Sequence, residues 1–207
     1  MALNDYSDLN AMQLDALKEI GNIGSGNAAS ALSCMLSRPV DITVPQIQIL
    51  DYPQVVENLG GPEQLLVGLL LSLSGDVTGM IMFLLHKEFT NQMISALCGT
   101  ELTDSTELDD MGQSAIQEVG NIMAASYINA IAELTSLRVN ISVPSLCVDM
   151  AGSILSVPAI YYADISDKII YISDQFSPDA NIPASHILMI PEVDSLQKIM
   201  SSIGLAE

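Results

Sequence analysis

The chain contains the same motif twice, and this internal repeat limits the folds that it can adopt. The segment Glu19-Ile-Gly-Asn-Ile23 recurs 99 residues later as Glu118-Val-Gly-Asn-Ile122. Residues 15–45 align with residues 114–144 without a gap, with eleven identities in 31 positions, and both segments end in proline. Two copies are too few for a solenoid. The repeat therefore predicts a pseudo-symmetric single domain over residues 1–207, with copies at about 8–98 and about 108–203.

Composition excludes several classes of protein. The 207 residues are 49 % hydrophobic, which is too apolar for a disordered chain. Six basic against 25 acidic residues give a net charge of −19, so the surface should repel nucleic acid and anionic lipid. We therefore expect neither nucleic acid nor a membrane among its partners. The acidity itself fits either a salty cytoplasm or ordinary solubility chemistry.

The cysteines, the histidines and the N-terminus bear on location and metal binding. Cys34, Cys98 and Cys147 are widely separated in apolar surroundings, which predicts reduced thiols in the core of a cytosolic protein. His86 and His186 lie 100 residues apart without cysteine or carboxylate at ligand spacing, so no metal site is expected. The N-terminus lacks the basic and apolar regions of a signal peptide. The expected location is the cytoplasm.

Residues 65–85 are apolar and nearly long enough to span a membrane. Their centre, however, reads Ser74-Gly-Asp-Val-Thr-Gly79. An Asp at the bilayer midplane is costly, whereas Gly-Asp is typical of a hairpin turn. The pattern predicts two buried strands, at 65–72 and 80–85, and a second hairpin is predicted from 159–164 and 169–173.

The order of the remaining segments predicts an α+β fold. Each copy begins with a long helix that carries the motif, at about 8–37 and about 108–137, and a break near its glycines is left open. Each helix leads to a strand that contains residues 41–45 or 140–144, followed by a connection and a hairpin. The first copy closes with a helix at 88–98, and the second with a strand at 187–190 and a helix at 193–203. Polar residues 99–110 connect the copies, and both copies should contribute strands to an antiparallel sheet.

The polar residues of each motif stand at i, i+4 and i+7, so they share one face of a helix. They are Asp15, Glu19 and Asn22 in the first copy and Ser114, Glu118 and Asn121 in the second. Apolar residues between them allow the opposite face to be buried. Gly21 and Gly120 destabilise a helix by about 1 kcal/mol relative to alanine. We interpret this cost as a sign that another backbone approaches the helix closely.

Other interpretations of the same residues remain open at this point. The motif could be a solvated helix face whose Asn and Gly form a C-terminal cap. Residues 21–29 contain the G-x-G-x-x-A pattern of a dinucleotide-binding turn, but the preceding segment has the pattern of a helix and not of the required strand. Ser25 stands between two glycines like a hydrolase nucleophile, although the chain has no G-x-S-x-G elbow and only two histidines.

The duplicated pattern, Asp or Ser, then Glu and Asn, then a proline about 22 residues later, resembles the CheC branch of the CheC, CheX and FliY family of chemotaxis phosphatases. The similarity covers almost the whole chain, including the Gly75-Asp-x-x-Gly79 hairpin and Met189-Ile-Pro191. We do not expect the additional flagellar-switch domain that FliY-like members carry.

This resemblance implies hydrolysis of the aspartyl phosphate of the response regulator CheY. The motif asparagines would position the attacking water, and the motif glutamates would dock on a lysine of the regulator. The residues with these implied roles are Glu19, Asn22, Glu118 and Asn121. Asp15 and Ser114 would support the contact one turn earlier. The regulator supplies Mg²⁺, so no cofactor of the chain's own is expected.

The resemblance also implies a second partner, because members of this branch bind and inhibit the receptor deamidase CheD. Residues 145–154 resemble the docking region, with Asp149 as the polar contact, and the alternative is a buried strand that leads into a turn. Pro45 and Pro144 would shape the strands behind the helices. An alternative function is a non-catalytic adaptor or buffer that binds phosphorylated CheY and CheD. Since a duplicated chain satisfies internally the symmetry that a single-copy relative reaches by dimerising, we expect a monomer.

Overall fold

In the computed structural model, the described residues are 3, 5–99, 108–161, 168–174, 176–177 and 185–205. The first repeat contributes α1 (Ala11–Leu36), β1 (Asp41–Ile42), β2 (Gln46–Asp51), α2 (Tyr52–Asn58), β3 (Leu65–Gly75), β4 (Gly79–Leu85) and α3 (Lys87–Cys98). The second repeat contributes α4 (Asp110–Thr135), β5 (Val139–Ile141), β6 (Ser145–Met150), α5 (Ala151–Tyr161), β7 (Lys168–Asp174), β8 (Phe176–Ser177), β9 (Ser185–Pro191) and α6 (Val193–Ser202). Apart from β8 and a 3-10 helix at Tyr6–Asp8, the described elements of the two halves follow the same order.

Strands from the two repeats are interleaved in one seven-stranded antiparallel sheet. The order is β2-β7-β9-β4-β3, and both β5 and β6 pair with the far side of β3. Thus β2 of the first repeat pairs with β7 of the second, while β6 of the second pairs with β3 of the first. Strands β4 and β9 meet at the centre, and β1 and β8 form a separate two-stranded sheet. The predicted antiparallel α+β architecture is confirmed.

The helices cover both faces of this sheet. Neighbouring residues of a strand point to opposite faces, and on β3 Leu69 lies against Gly120 of α4 whereas Gly68 lies against Ile154 of α5. Helix α1 packs along α4 on the first face, and α2 contacts α5 on the second. Both motif helices therefore share one layer, above a continuous apolar core.

The two motif helices begin and end at equivalent positions. Asn10 caps α1 and Asp109 caps α4, through side-chain hydrogen bonds of 3.0 and 2.7 Å to backbone N–H groups. Both helices end at serines in the left-handed region, Ser37 and Ser136, with φ of 51° and 59°. Both run unbroken through their glycines. Neither a break nor a C-terminal cap therefore occurs at the Gly-Asn step of the motifs.

The motif glycines pack against side chains, and the prediction that another backbone approaches them was wrong. A Cβ at Gly21 would collide with Ile47 Cδ1 of β2, and a Cβ at Gly120 would lie 2.6 Å from Leu69 Cδ1 of β3. The space that each Cβ would need is already filled by the close-packed core. Glycine therefore allows each helix to lie directly on the sheet.

The hairpin predicted within residues 65–85 is confirmed. Strands β3 and β4 pair in register from Val67 with Leu85 to Leu73 with Gly79. Gly75 and Gly79 have φ of 105° and 140°, which side-chain-bearing residues rarely adopt. Among the described helices, none combines the length and the apolar character that a membrane crossing requires.

Several local predictions were wrong. Residues 159–161 are the last residues of α5 and not a strand, and residues 162–167 of the predicted hairpin lie outside the described part of the chain. Strand β7 is present but pairs with β2 and β9, which are remote in sequence. The strands predicted to contain residues 41–45 and 140–144 are shorter, since β1 ends at Ile42 and β5 at Ile141, and separate strands β2 and β6 begin directly after Pro45 and Pro144. Most of the predicted linker, residues 100–107, also lies outside the described residues.

The prediction of core cysteines was wrong for two of the three. All three thiols are free, but Cys34 and Cys147 are exposed and only Cys98 is partly buried. Cys34 lies on the solvent side of the last turns of α1, and Cys147 lies on β6, which pairs only with β3 among the described strands.

Candidate functional site

The polar residues of both motifs form exposed ridges on α1 and α4. We call Asp15, Glu19 and Asn22 ridge 1, and Ser114, Glu118 and Asn121 ridge 2; all six residues are exposed. The opposite face of each helix is buried against the sheet, through Leu17, Ile20 and Gly21 in α1 and Ile116, Val119 and Gly120 in α4. The helical period thus turns the ridges outward, where another protein can reach them.

The glutamate and asparagine of each ridge are available for contacts with a partner. Within the described residues, no hydrogen bond or ion pair engages the side chains of Glu19, Asn22, Glu118 or Asn121. Residues three apart on a helix have Cβ atoms about 5–6 Å apart. Each ridge therefore presents a carboxylate and a neutral amide side by side.

The first residue of each ridge bonds to its own helix. Asp15 Oδ1 accepts a hydrogen bond from Lys18 Nζ at 2.8 Å, in an ion pair whose side chains are 71 % and 53 % exposed. An exposed pair of this kind contributes little to stability. Ser114 Oγ donates to the carbonyl of Asp110 at 2.8 Å. The two ridges thus differ in charge at this position.

A buried contact between α1 and α4 holds the two ridges in one layer. Gly24 packs against the ring of Tyr127, and Ser25 Oγ lies 2.6 Å from Tyr127 Oη. Both polar side chains are fully buried. All three residues are C-terminal to the ridge of their helix, so the contact leaves both ridges open to solvent.

This contact and the unbroken course of α1 exclude two alternative interpretations of the glycine-rich segment. Ser25 is buried and hydrogen-bonded to Tyr127, so it is not accessible to a substrate as a nucleophile. Residues 21–29 lie within an unbroken helix. A dinucleotide-binding turn requires a strand before the glycines and a helix after them, and this segment has neither boundary.

The prolines that follow the motifs are buried at the start of β2 and β6. In the second repeat, Gln117 Nε2 donates to the carbonyl of Pro144 at 3.1 Å. Because Gln117 precedes Glu118, this bond fixes the beginning of β6 beside ridge 2. That the prolines shape these strands stays a prediction.

Comparison with known proteins shows which family carries these features. The model of the CheC-like family matches residues 12–49 and 111–148, so each matched segment contains one ridge. The chain is 32 % identical over 203 residues to the CheY-P phosphatase CheC of Bacillus subtilis (strain 168), which covers 96 % of this chain and 97 % of that protein. The chain belongs to the CheC-like family. The predicted resemblance is confirmed.

Two further comparisons extend this result for the CheC-like chain. The flagellar motor switch phosphatase FliY of Bacillus subtilis (strain 168) is 26 % identical over 141 residues, covering 68 % of this chain but 36 % of FliY. The X-ray crystal structure of Thermotoga maritima FliY matches with a TM-score of 0.71 and 22 % identity, covering 96 % of this chain and 99 % of that one. The latter likeness shows the shared fold.

Asp149 of the CheC-like chain lies exposed on β6, and its Oδ1 accepts a hydrogen bond from the N–H of Met150 at 2.7 Å. Ser145 and Cys147 are exposed on the same strand. The alternative reading of residues 145–154 as a buried strand that leads into a turn was therefore wrong. They form a solvent-accessible strand followed by the first turn of α5.

The CheC-like fold also assembles a polar cluster that the sequence did not predict. His86 Nε2 lies 3.4 Å from His186 Nε2, and Tyr171 Oη lies 2.6 Å from His186 Nδ1. Burial, with a smaller effect of His86, lowers the pKa of His186 to about 4, and burial raises the pKa of Tyr171 to about 12. Among the described residues, no group of three or more His, Cys, Asp or Glu side chains is placed to hold a metal.

This cluster lies on the face of the sheet that α5 covers, away from the ridges. His186 is paired with Leu84, and Leu84 is paired with Gly68, which faces α5. The cluster depends on the pairing of β7 with β9, which has no local signature in the sequence. His186 is buried in this cluster, whereas His86 is partly buried.

Proposed function

We propose that this protein hydrolyses the aspartyl phosphate of a CheY response regulator. The observation that carries the proposal is the pair of exposed ridges, each with an unengaged glutamate and asparagine three residues apart. Family membership supports it, and the activity named for the Bacillus subtilis relative supports the choice of substrate. On this proposal the chain carries two equivalent sites, one on α1 and one on α4.

The reaction requires little more than an aligned water molecule. The water oxygen attacks phosphorus in line with the aspartyl oxygen, so a new P–O bond forms as the bond to the aspartyl oxygen breaks. The regulator regains its carboxylate, and inorganic phosphate leaves with the protons of the water. On this proposal, Mg²⁺ and a lysine supplied by the regulator would balance the phosphoryl charge, and this chain would supply no cofactor of its own.

Asn22 and Asn121 are the proposed water-positioning residues. The carboxamide oxygen accepts a hydrogen bond from the water while its NH₂ group donates to a phosphoryl oxygen. Unlike a carboxylate, the amide brings no negative charge next to the phosphoryl group. Each asparagine follows a glycine that is pressed on the sheet, so a rigid element supports the amide.

Glu19 and Glu118 are the proposed docking residues, which pair with a lysine of the regulator. A carboxylate one helical turn from the amide places the lysine contact and the water contact within a few ångström of each other. Asp15 supports ridge 1 by holding Lys18 at 2.8 Å, which keeps that cation from competing for Glu19. Ser114 occupies the same position in ridge 2 as a small neutral group.

We also propose that residues 145–154 bind the deamidase CheD, with Asp149 as a polar contact. The exposed position of Asp149 on β6 favours this surface over the ridges, which the regulator would occupy. Substituting Asp149 by Lys should weaken CheD binding in a pull-down titration, and unchanged affinity would contradict the assignment. We further propose a cytoplasmic monomer, and we propose that both repeats form one domain, since strands of both repeats pair within one sheet.

Turnover distinguishes a phosphatase from a non-catalytic buffer. Radiolabelled phosphorylated CheY is mixed with a substoichiometric amount of this chain, and phosphoryl loss is followed over time. An enzyme accelerates loss from the entire pool, whereas a buffer protects at most one equivalent. Slower loss, or loss unaffected by this chain, would overturn the proposal.

A further inference from the structure

Each ridge is accompanied by two exposed apolar side chains at equivalent positions. Met12 and Met111 are 65 % and 62 % exposed, and Val44 and Val143 are 74 % and 81 % exposed. The members of each pair are 99 residues apart, which is the spacing of the repeat. The repeat therefore duplicates solvent-exposed apolar side chains as well as the polar ridge.

The other large apolar side chains that are exposed among the described residues show no such duplication. None of them has an exposed large apolar counterpart in the first repeat. They are Leu134, Met150, Val157, Ile160 and Tyr161. Four of these five lie at the end of β6 or on α5, apart from the ridges. Duplication thus separates the methionine and valine pairs, which recur with the motif, from the other exposed apolar residues, which occur once.

Each methionine lies at the N-terminal end of its ridge. Met12, Asp15, Glu19 and Asn22 stand at i, i+3, i+7 and i+10 of α1. At 3.6 residues per turn they fall within an arc of about 80° and along about 15 Å of the helix. Met111 has the same place relative to ridge 2 on α4. The apolar and polar groups form one continuous surface.

Each valine lies after its motif helix, in the segment that precedes the buried proline. Val143 is followed by Pro144, whose carbonyl accepts the hydrogen bond from Gln117 Nε2 at 3.1 Å. Gln117 precedes Glu118 on α4, so this bond connects the segment of Val143 to the part of α4 that carries ridge 2. Val44 has the equivalent position before Pro45 in the first repeat.

We infer that Met12 with Val44, and Met111 with Val143, are the apolar contacts through which each ridge binds the phosphorylated receiver domain of the regulator. This inference rests on the function proposed above. Exposed charges alone contribute little affinity, whereas most interface energy comes from a few apolar anchors that become buried. A flexible thioether adapts to an uneven partner surface. Because both repeats carry the same apolar pair, we expect the partner to bind at both ridges.

Substitution of both methionines by glutamine tests the inference in a binding assay. Met12→Gln with Met111→Gln keeps side-chain length and helix propensity but removes the apolar surface. The Kd for CheY that carries beryllofluoride, a stable mimic of the phosphoryl group, should rise about tenfold. Ile160→Gln is the matched control, because Ile160 is 78 % exposed on α5, and it should bind like wild type.

A comparison of single-site variants assigns each methionine to its own ridge. Asn121→Ala leaves ridge 1 as the active ridge, and Asn22→Ala leaves ridge 2. Met12→Gln should raise the KM for phosphorylated CheY more in the Asn121→Ala background than in the Asn22→Ala background. Met111→Gln should show the reverse. Equal changes in both backgrounds would contradict a local apolar contact.

The outcomes separate this inference from the proposed function. If wild type binds and dephosphorylates CheY and the methionine variants bind equally well, the inference is wrong and the proposed function stands. If wild type binds without accelerating phosphoryl loss, the proposed function fails and the binding result still decides the inference. If wild type does not bind CheY, both are wrong. Val44→Thr with Val143→Thr repeats the test with residues outside α1 and α4, and it should also raise the Kd. If Ile160→Gln weakens binding as much as the methionine variants do, the inference is wrong.

Discussion

Two glycines in α1 allow a direct test of how tightly the ridge helices are packed. A Cβ at Gly24 would lie 2.6 Å from Cδ1, 2.9 Å from Cγ and 3.0 Å from Cε1 of Tyr127, a fully buried ring on α4. A Cβ at Gly26, two residues later in the same helix, would meet no atom within 4 Å. Gly24→Ala and Gly26→Ala therefore make the same chemical change in opposite environments.

The expected magnitudes follow from these distances. At Gly26 the gain in helix propensity acts alone, so the free energy of unfolding should rise by about 0.5–1 kcal/mol. At Gly24 the same gain is opposed by about 1–3 kcal/mol for displacing a packed ring. Moving the ring also weakens the hydrogen bond between Ser25 and Tyr127, at about 1 kcal/mol. Gly24→Ala should therefore lower the free energy of unfolding by about 1–3 kcal/mol.

Urea denaturation followed by circular dichroism measures both variants. The expected difference between them is about 2–4 kcal/mol, with Gly26→Ala more stable than wild type. The cost of Gly24→Ala should shrink in a Tyr127→Leu background, because the smaller side chain leaves room for the added methyl group. Equal stability of the two alanine variants would refute the close packing of α1 on α4.

The remaining predictions concern docking, the buried histidine and the repeat. Glu19→Lys with Glu118→Lys places like charge against the regulator's lysine, so the Kd for phosphorylated CheY should rise at least about tenfold in a fluorescence anisotropy titration, and an unchanged Kd would contradict the docking role. Burial holds the pKa of His186 at about 4, below its ordinary value of 6.5, so the unfolded chain binds a proton more readily between these pH values. The free energy of unfolding should consequently fall by up to about 3 kcal/mol between pH 7 and pH 4. Urea titrations of His186→Gln should show a smaller fall. An identical fall in this variant would show that His186 does not cause the pH dependence. Residues 1–99 alone should give no cooperative thermal transition, because β2 lacks β7 and β3 lacks β6; a cooperative transition would show that one repeat folds independently.

The exposed ridges could be predicted from the sequence because they depend on helical period and repetition alone. Residues at i, i+4 and i+7 share a face whatever surrounds the helix. The second copy aligns without a gap, so the same spacing of polar residues occurs in both motif helices. The β3–β4 hairpin could also be predicted, since its turn signal lies between two apolar runs. The start of α2 also has a local sequence signal, because Asp51 and Gln54 form a capping box there.

The contacts between remote strands could not be predicted in this way. Nothing local indicates that β2 pairs with β7, or that Leu69 of β3 fills the space beside Gly120. Ile160 and Tyr161 have strand propensity, yet they end α5, because the propensity of two residues alone does not fix secondary structure. The histidine cluster was missed for the same reason, because the sheet alone brings His86 and His186 together.

The most direct test of the proposed mechanism is the rate of phosphoryl loss from CheY with both ridge asparagines replaced. Asn22→Ala with Asn121→Ala should reduce the stimulated rate by about a hundredfold or more, while the beryllofluoride form of CheY still binds. The matched control is Asn27→Ala with Asn129→Ala, since these asparagines are exposed on the same two helices but outside the ridges. This control should keep the wild-type rate. Full activity of the ridge variant, or an equal loss in the control, would contradict the central claim that the ridge amides position the attacking water.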